Sequence, residues 1–228
     1  MKPMKKHVLI TGATGMVGGE ALKACLEKEA VGRVTSLVRR HSGINHKNLT
    51  EVLVKDFLDY SDLEGHFKNV DLVLYCLAVY QGQVSKDEYR TITVDYVDLF
   101  AKTLKTQSPE AVFCLFSAAG AVSSEKSRMQ FARDKGAAEN RVFASGFPRT
   151  HAFRPGYIYP VEKREEPSLT YRLTRRLYPV LKAIYANGVV TSRHLAETML
   201  TIGLKGGDQR IYENPEIRKI KTHEPKSG

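Results

Sequence analysis

The 228-residue sequence holds only three cysteines, Cys25, Cys76 and Cys114. They are odd in number, far apart and flanked by apolar residues, a pattern of reduced core thiols that speaks against a disulfide framework or a thiolate metal site. The seven histidines show no ligand spacing, so no metal is expected and zinc catalysis is disfavoured. No apolar run approaches the ~18 residues of a membrane span. The start Met1-Lys2-Pro3-Met4-Lys5-Lys6 carries the charge of a signal peptide, but the apolar run behind it stops at Thr11-Gly12, and no secretion signal follows from it. These absences predict a cytoplasmic protein without a membrane partner. The formal charge of +10 invites a polyanion, yet the basic residues are scattered, with denser patches at Arg39-Arg40, Arg164 to Arg176 and Arg218 to Lys226. None is interleaved with stacking aromatics, so the excess reads as a solvated surface and no nucleic-acid partner is expected.

What the sequence does hold is glycine in a particular place. Behind the apolar run Val8-Leu9-Ile10 stands Thr11-Gly12-Ala13-Thr14-Gly15-Met16-Val17-Gly18, followed by the helical pattern Val17, Ala21, Leu22, Ala24, Cys25. A strand that ends in three spaced glycines and enters a helix brings bare backbone N–H groups against a pyrophosphate. Gly12 permits the tight turn, Gly15 admits the phosphates, and Gly18 lets the helix starting near Met16 pack close to the sheet. Gly12, Thr14, Gly15, Met16 and Val17 are the candidate phosphate-binding residues.

Strand-like and helix-like patterns alternate through the rest. Strands are predicted at His7–Thr11, Arg33–Val38, Glu51–Val54, Leu72–Cys76, Ala111–Ser117 and Thr150–Arg154, and helices over 16–29, 60–68, 86–106 and 128–145. That order implies an α/β fold, a doubly wound parallel sheet of the Rossmann type with ligands at the carboxyl ends of the strands. Length and composition fit one domain over 1–213. The segment 156–190, rich in proline, charge and aromatics, is expected to be a lid or substrate-side segment. Ser192 to Ile202 reads as a capped helix, Gln209–Glu213 as a short strand, and 214–228 as a polar, partly disordered tail.

A second cofactor signal stands at the end of the second strand. A dinucleotide site selective for NAD places a carboxylate there to hold the ribose 2′-hydroxyl; this chain has Arg39 and Arg40. Two guanidinium groups suit a 2′-phosphate, so NADP is the expected cofactor. Asp56, beyond the third strand, is placed to accept from the adenine amino group, with Phe57 beside it. Leu77 and Ala78 end the fourth strand and are candidate cofactor-binding residues at the carboxyl edge of the sheet; Pro155-Gly156 ends the sixth, where Gly156 would pass close to the nicotinamide.

The glycine turn, Leu37-Val38-Arg39-Arg40, Phe116-Ser117-Ala118-Ala119-Gly120 and Arg154-Pro155-Gly156 resemble the atypical branch of the short-chain dehydrogenase/reductase superfamily. Tyr75-Cys76-Leu77-Ala78, Ser117 to Gly120, Lys135-Gly136 with Glu139, and Phe153 to Gly156 are more narrowly similar to the Tat-interacting-protein-like oxidoreductases and their bacterial relatives. The likeness covers about residues 5 to 200. It implies hydride exchange between a nicotinamide and a carbonyl or alcohol carbon. It also implies a serine that orients the substrate oxygen, matched by Ser117, and a lysine that lowers the pKa of a tyrosine four positions earlier, matched by Lys135.

The tyrosine position holds Phe131. A phenyl ring has no titratable proton, so the usual acid is missing. Three readings remain open. Tyr80, Tyr157, Tyr159, Ser117 or water protonates the substrate; or the chain binds NADPH without turnover and regulates a partner; or the catalytic lysine is not Lys135. The expectation is an NADP-dependent oxidoreductase acting on a small carbonyl substrate, with a catalytically silent, redox-sensing interaction protein as the alternative, in either case a monomer or homodimer.

Overall fold

A computed structural model describes residues 4–162 and 186–222. Most of the predicted lid, from 163 to 185, and the tail residues 223–228 lie outside the described residues. The first strand, β1 (Lys6–Thr11), has five consecutive buried residues because both faces of the sheet are covered. Around it stand β2 (Val31–Val38), β3 (Leu49–Leu53), β4 (Leu72–Tyr75), β5 (Val112–Phe116), β6 (Arg149–Arg154) and β9 (Ile211–Glu213). Their order is β3-β2-β1-β4-β5-β6-β9, and every neighbouring pair is parallel. The order reverses direction between β1 and β4, and the crevice outside the carboxyl ends of those strands is where an open parallel sheet binds ligands.

Alternate side chains on each strand feed two cores. Ile10, Leu72, Cys114 and Phe153 pack with Leu22 and Cys25 of α1 (Met16–Glu27) and with Met199 of α5 (Ser192–Lys205). On the other face Leu9, Leu37, Tyr75 and Phe113 meet Phe100 of α3 (Tyr96–Gln107) and Val142 of α4 (Gln130–Ala144). Phe100 stands edge-on to Tyr75 and Phe113, with centroids 5.2 and 5.9 Å away. All three cysteines are free and buried. Among the described residues no helix is long and apolar enough to cross a membrane.

The expected elements appear with their ends within three residues of expectation, and four differences have physical causes. The segment expected to be helical over 60–68 is a single 3-10 helix, Ser61–Phe67, interrupted in composition by Gly65 and with Phe67 as its one buried residue. The helix expected over 86–106 is divided. Ser85 caps α2 (Lys86–Arg90) by accepting from Glu88 N, and a wider π-type turn, Thr91–Asp95, precedes α3; the run Thr91-Ile92-Thr93-Val94 is rich in β-branched residues that helices tolerate poorly. Two three-residue strands, β7 (Tyr157–Tyr159) and β8 (Val189–Thr191), pair in parallel outside the main sheet and are too short to show a period. The expected polar tail instead begins with a helix, α6 (Asn214–Lys219), in which Asn214 and Ile217 are buried. Pro215 in its first turn suits a helix start.

Candidate functional site

The turn after β1 is built from its glycines. Gly12 has φ 72°, and a Cβ on it would stand 2.6 Å from the Cys76 carbonyl oxygen, so the turn lies directly on the end of β4. Gly15 N donates to Gly12 O at 2.8 Å and closes the loop. At Gly18 a Cβ would come within 2.1 Å of Gly12 O, which is why α1 sits so close to the turn. No side chain caps α1 at Gly15 and no acid stands in its first turn. Its leading N–H groups and dipole therefore present an anion site, as a dinucleotide pyrophosphate requires.

Two cavities open from this turn and share Gly15, Cys76 and Ala78. The smaller, about 190 Å³, is bordered by Gly12, Thr14, Leu77, Phe57, Arg39 and Arg40. Both arginines are exposed, and among the described residues neither is taken up in an ion pair. Behind them Glu51 accepts from Ser42 N at 3.0 Å and lies 3.1 Å from His41 Nδ1, which pins the loop that carries them. Asp56 departs from expectation. It does not border the cavity, and its Oδ1 accepts from Leu58 N at 2.8 Å as part of the local turn; Phe57, by contrast, does form the wall.

The larger cavity, about 320 Å³, falls within the size range of small-molecule pockets. Met16, Val17, Ser117, Phe131, Lys135, Pro155 and Gly156 all border it. A Cβ on Gly136 would come within 2.0 Å of Val122 O, so α4 lies against the chain that follows β5, and this close approach brings Phe131 and Lys135 of α4 to the crevice. Lys135 is 8% exposed, its Nζ stands 5.7 Å from the Phe116 ring centroid, and it makes no hydrogen bond among the described residues. Burial, only partly offset by the carboxylate of Glu139, lowers its pKa to about 8. Cys76 also borders the space, but burial pushes its thiol up to about 12, which leaves it a wall and not a nucleophile.

Ser117 is at the cavity with its proton committed. Its Oγ donates to Glu139 Oε1 at 2.5 Å. Arg154 grips the same carboxylate with both arms, Nε to Oε1 at 2.9 Å and Nη2 to Oε2 at 2.5 Å, and reaches Glu213 Oε1 at 3.0 Å and Ser123 Oγ at 3.2 Å. Glu139 is fully buried, so this bidentate pair locks β5, β6, β9 and α4 together at the crevice. The sequence reading gave this network no role, although Glu139 lies one helical turn beyond Lys135 on the same face. Gly156 also differs in its reason: the space its side chain would take holds the carbonyl oxygen of Gly188, 2.2 Å from a built Cβ. The Tyr-x-x-x-Lys spacing does recur, at Tyr159 to Lys163 and Tyr178 to Lys182. Tyr159 lies on β7 before Pro160, where i and i+4 share no helical face, and Lys163 and 178–182 are outside the described residues.

The family model described as NAD(P)H-binding matches residues 12–202. The chain belongs to this NAD(P)H-binding family. "Protein FMP52, mitochondrial" of Meyerozyma guilliermondii is 26% identical over 153 residues, 67% of this chain and 65% of that protein; the chain thus spans just under two thirds of that relative. The fmp52 protein of Aspergillus clavatus is 26% identical over 167 residues, 71% of this chain and 70% of its own. In structure, this NAD(P)H-binding chain resembles the Bordetella bronchiseptica enzyme WbmH in complex with NAD+, at TM-score 0.67 and 18% identity over 92% of this chain and 75% of that one. The UDP-N-acetylglucosamine 4-epimerase from Methanobrevibacter ruminantium M1 gives TM-score 0.66 and 19% identity over 92% and 76%. The expected Rossmann-type α/β fold with a nicotinamide dinucleotide-binding family assignment is thus borne out.

Proposed function

We propose that the chain binds NADP(H) and works as an atypical short-chain dehydrogenase/reductase on a small carbonyl or alcohol, in the manner of the Tat-interacting-protein-like oxidoreductases. The observation that carries this reading is the continuity of the two cavities through Gly15, Cys76 and Ala78. A dinucleotide with its pyrophosphate on the glycine turn has Arg39 and Arg40 at one end and Lys135 at the other. When bound, the cofactor supplies the hydride. The chain's own residues do the rest. Backbone N–H groups from Gly12 to Val17 hold the pyrophosphate, Arg39 and Arg40 pair with the 2′-phosphate, and Leu77 and Ala78 follow the riboses. Lys135 donates to the nicotinamide ribose hydroxyls, Pro155 and Gly156 back the ring, and Met16, Phe116 and Phe131 keep water from the reacting carbon.

Phe131 supports a second reading, in which NADPH binds without turnover and its occupancy regulates a protein partner. The two separate in one comparison of cofactor binding, by NADPH fluorescence, with NADPH oxidation over a carbonyl panel, for the native chain and Phe131→Tyr. The oxidoreductase reading expects measurable native turnover and a rise of ~10²-fold with the tyrosine, the lower range for a positioned acid. Tight NADPH binding with no turnover in either protein favours the regulatory reading, and failure to bind NADPH refutes both. For location we infer the cytoplasm, supported by three reduced, buried thiols; cell fractionation tests this against the mitochondrial name carried by the fungal relatives.

A further inference from the structure

We propose that Lys135 is the catalytic acid of this chain, its ammonium giving the substrate oxygen the proton that a tyrosine at position 131 would have supplied, with Ser117 serving only as an acceptor. The proposal rests on the oxidoreductase reading above and names the proton source which that reading leaves open.

The geometry sorts the candidates. Ser117 has one proton and gives it to Glu139; Glu139 is fully buried, and both its oxygens are held by Arg154. Withdrawing that proton toward a substrate would leave the buried carboxylate without a donor it already has, so the serine offers lone pairs to the cavity and not a hydrogen. Lys135 is the opposite case. Its ammonium borders the same cavity, lies near the face of Phe116, and has no acceptor among the described residues. Three N–H groups that no described residue takes up are open to an oxygen that enters the cavity. Phe131, one turn earlier on α4, keeps the approach apolar. Tyr80 and Tyr157 also border the space, each with an interaction of its own.

The step balances. Hydride delivered to the carbonyl carbon reduces it by two electrons, the C=O π pair moves to oxygen, and an N–H bond of Lys135 breaks as the O–H bond forms. The product alcohol leaves, and the neutral amine regains a proton from water at the cavity mouth. Among the described residues, the charged and titratable groups around Lys135 are Glu139 on its own helix, Arg154 from β6 paired to that carboxylate, Cys76 beyond β4, and the hydroxyls of Tyr80 and Tyr157. Of these, Glu139 favours the ammonium and burial opposes it, the larger effect being burial. An acid titrating near working pH is the efficient kind.

Two measurements test the proposal. The first needs no turnover: reductive ¹³C-methylation of the native protein and NMR titration of the Lys135 signal, assigned by its loss in Lys135→Arg, should give a midpoint near the value of about 8 set by burial. A midpoint at the ordinary lysine value of ~10.4 overturns the proposal even if the enzyme is active. The second is kinetic. Native kcat/KM for carbonyl reduction should fall about tenfold per pH unit above that midpoint. At saturating NADPH, Lys135→Arg should lose ~10²-fold in kcat and recover at least about tenfold when Phe131→Tyr is added. Retention of the native rate and pH limb in Lys135→Arg, or loss of that limb in Tyr80→Phe or Tyr157→Phe, overturns the assignment while the oxidoreductase reading stands. If the native protein binds NADPH and reduces no carbonyl, both fall.

Discussion

Glu139→Ala should be among the most destabilising single substitutions in this chain, and its size can be worked from the contacts. The carboxylate is fully buried and accepts from Ser117 Oγ and from two arms of Arg154, whose side chain is 11% exposed. Removing one partner of such a pair leaves the other charge buried, which costs about 3–5 kcal/mol. Arg154 keeps Glu213, but that carboxylate is 47% exposed and compensates little; Ser117 loses its acceptor as well. We expect about 3–4 kcal/mol, which for a chain of this size lowers Tm by roughly 10 °C. Urea denaturation with an unchanged slope measures it. Glu139→Gln should lose less, since an amide oxygen can still accept from Ser117. The reasoning also requires coupling: Arg154→Met and the double variant complete a cycle in which the double loses clearly less than the two singles together. A loss under about 1 kcal/mol for Glu139→Ala, or additive losses, would refute the buried-pair account.

Replacing Arg39 and Arg40 with alanine should weaken NADPH binding about 10- to 100-fold while leaving NADH nearly unchanged, measured by calorimetric titration; equal losses for both nucleotides would contradict a 2′-phosphate role. Gly18→Ala places a methyl 2.1 Å from Gly12 O, so it should cost about 1–3 kcal/mol of stability and loosen the nucleotide site with it, read from urea curves and NADPH titration together. Burial holds the pKa values of His7 and His151 below the usual imidazole range. The folded state thus binds these protons less readily than the unfolded chain, and stability should be intact above the unfolded value of ~6.5 and decline as pH drops from there through the lower folded values. In a Tm-against-pH series, the decline should be shallower in a variant lacking His7, whose Nδ1–H donates to Asn69 O and whose Nε2 lies 2.9 Å from Thr35 Oγ1.

The fold was legible because its strands are buried on both faces and so appear as dense apolar runs, and because glycine at 12, 15 and 18 has a local steric meaning that needs no partner residue. The same locality explains what could not be read. Glu139 looks like a surface acid within Lys135-Gly136-Ala137-Ala138-Glu139; its burial depends on Arg154 and Glu213, which lie 15 and 74 positions further along. The Asp56 carboxylate serves its own turn through the Leu58 N–H, and Gly156, although it borders the cavity, must be glycine because the Gly188 carbonyl fills its side-chain space. Position 131 was readable as a missing phenol, whereas the spent proton of Ser117 was not, because the direction of a hydroxyl depends on an acceptor far away in sequence.

Asn214 joins distant parts of the chain in one more way. Its Oδ1 accepts from Gly156 N at 2.9 Å, and its Nδ2 donates to Asn187 O at 2.8 Å. The chain departs from the crevice at Gly156 and returns at Asn187, so a single amide clasps both ends of an excursion of some thirty residues. Asn214 thus fixes Gly156, a wall of the larger cavity, against Asn187. The helix it begins, beyond the last strand of the sheet, acts on the crevice as a topological clasp, which makes shortening the chain before residue 214 a change to the site itself.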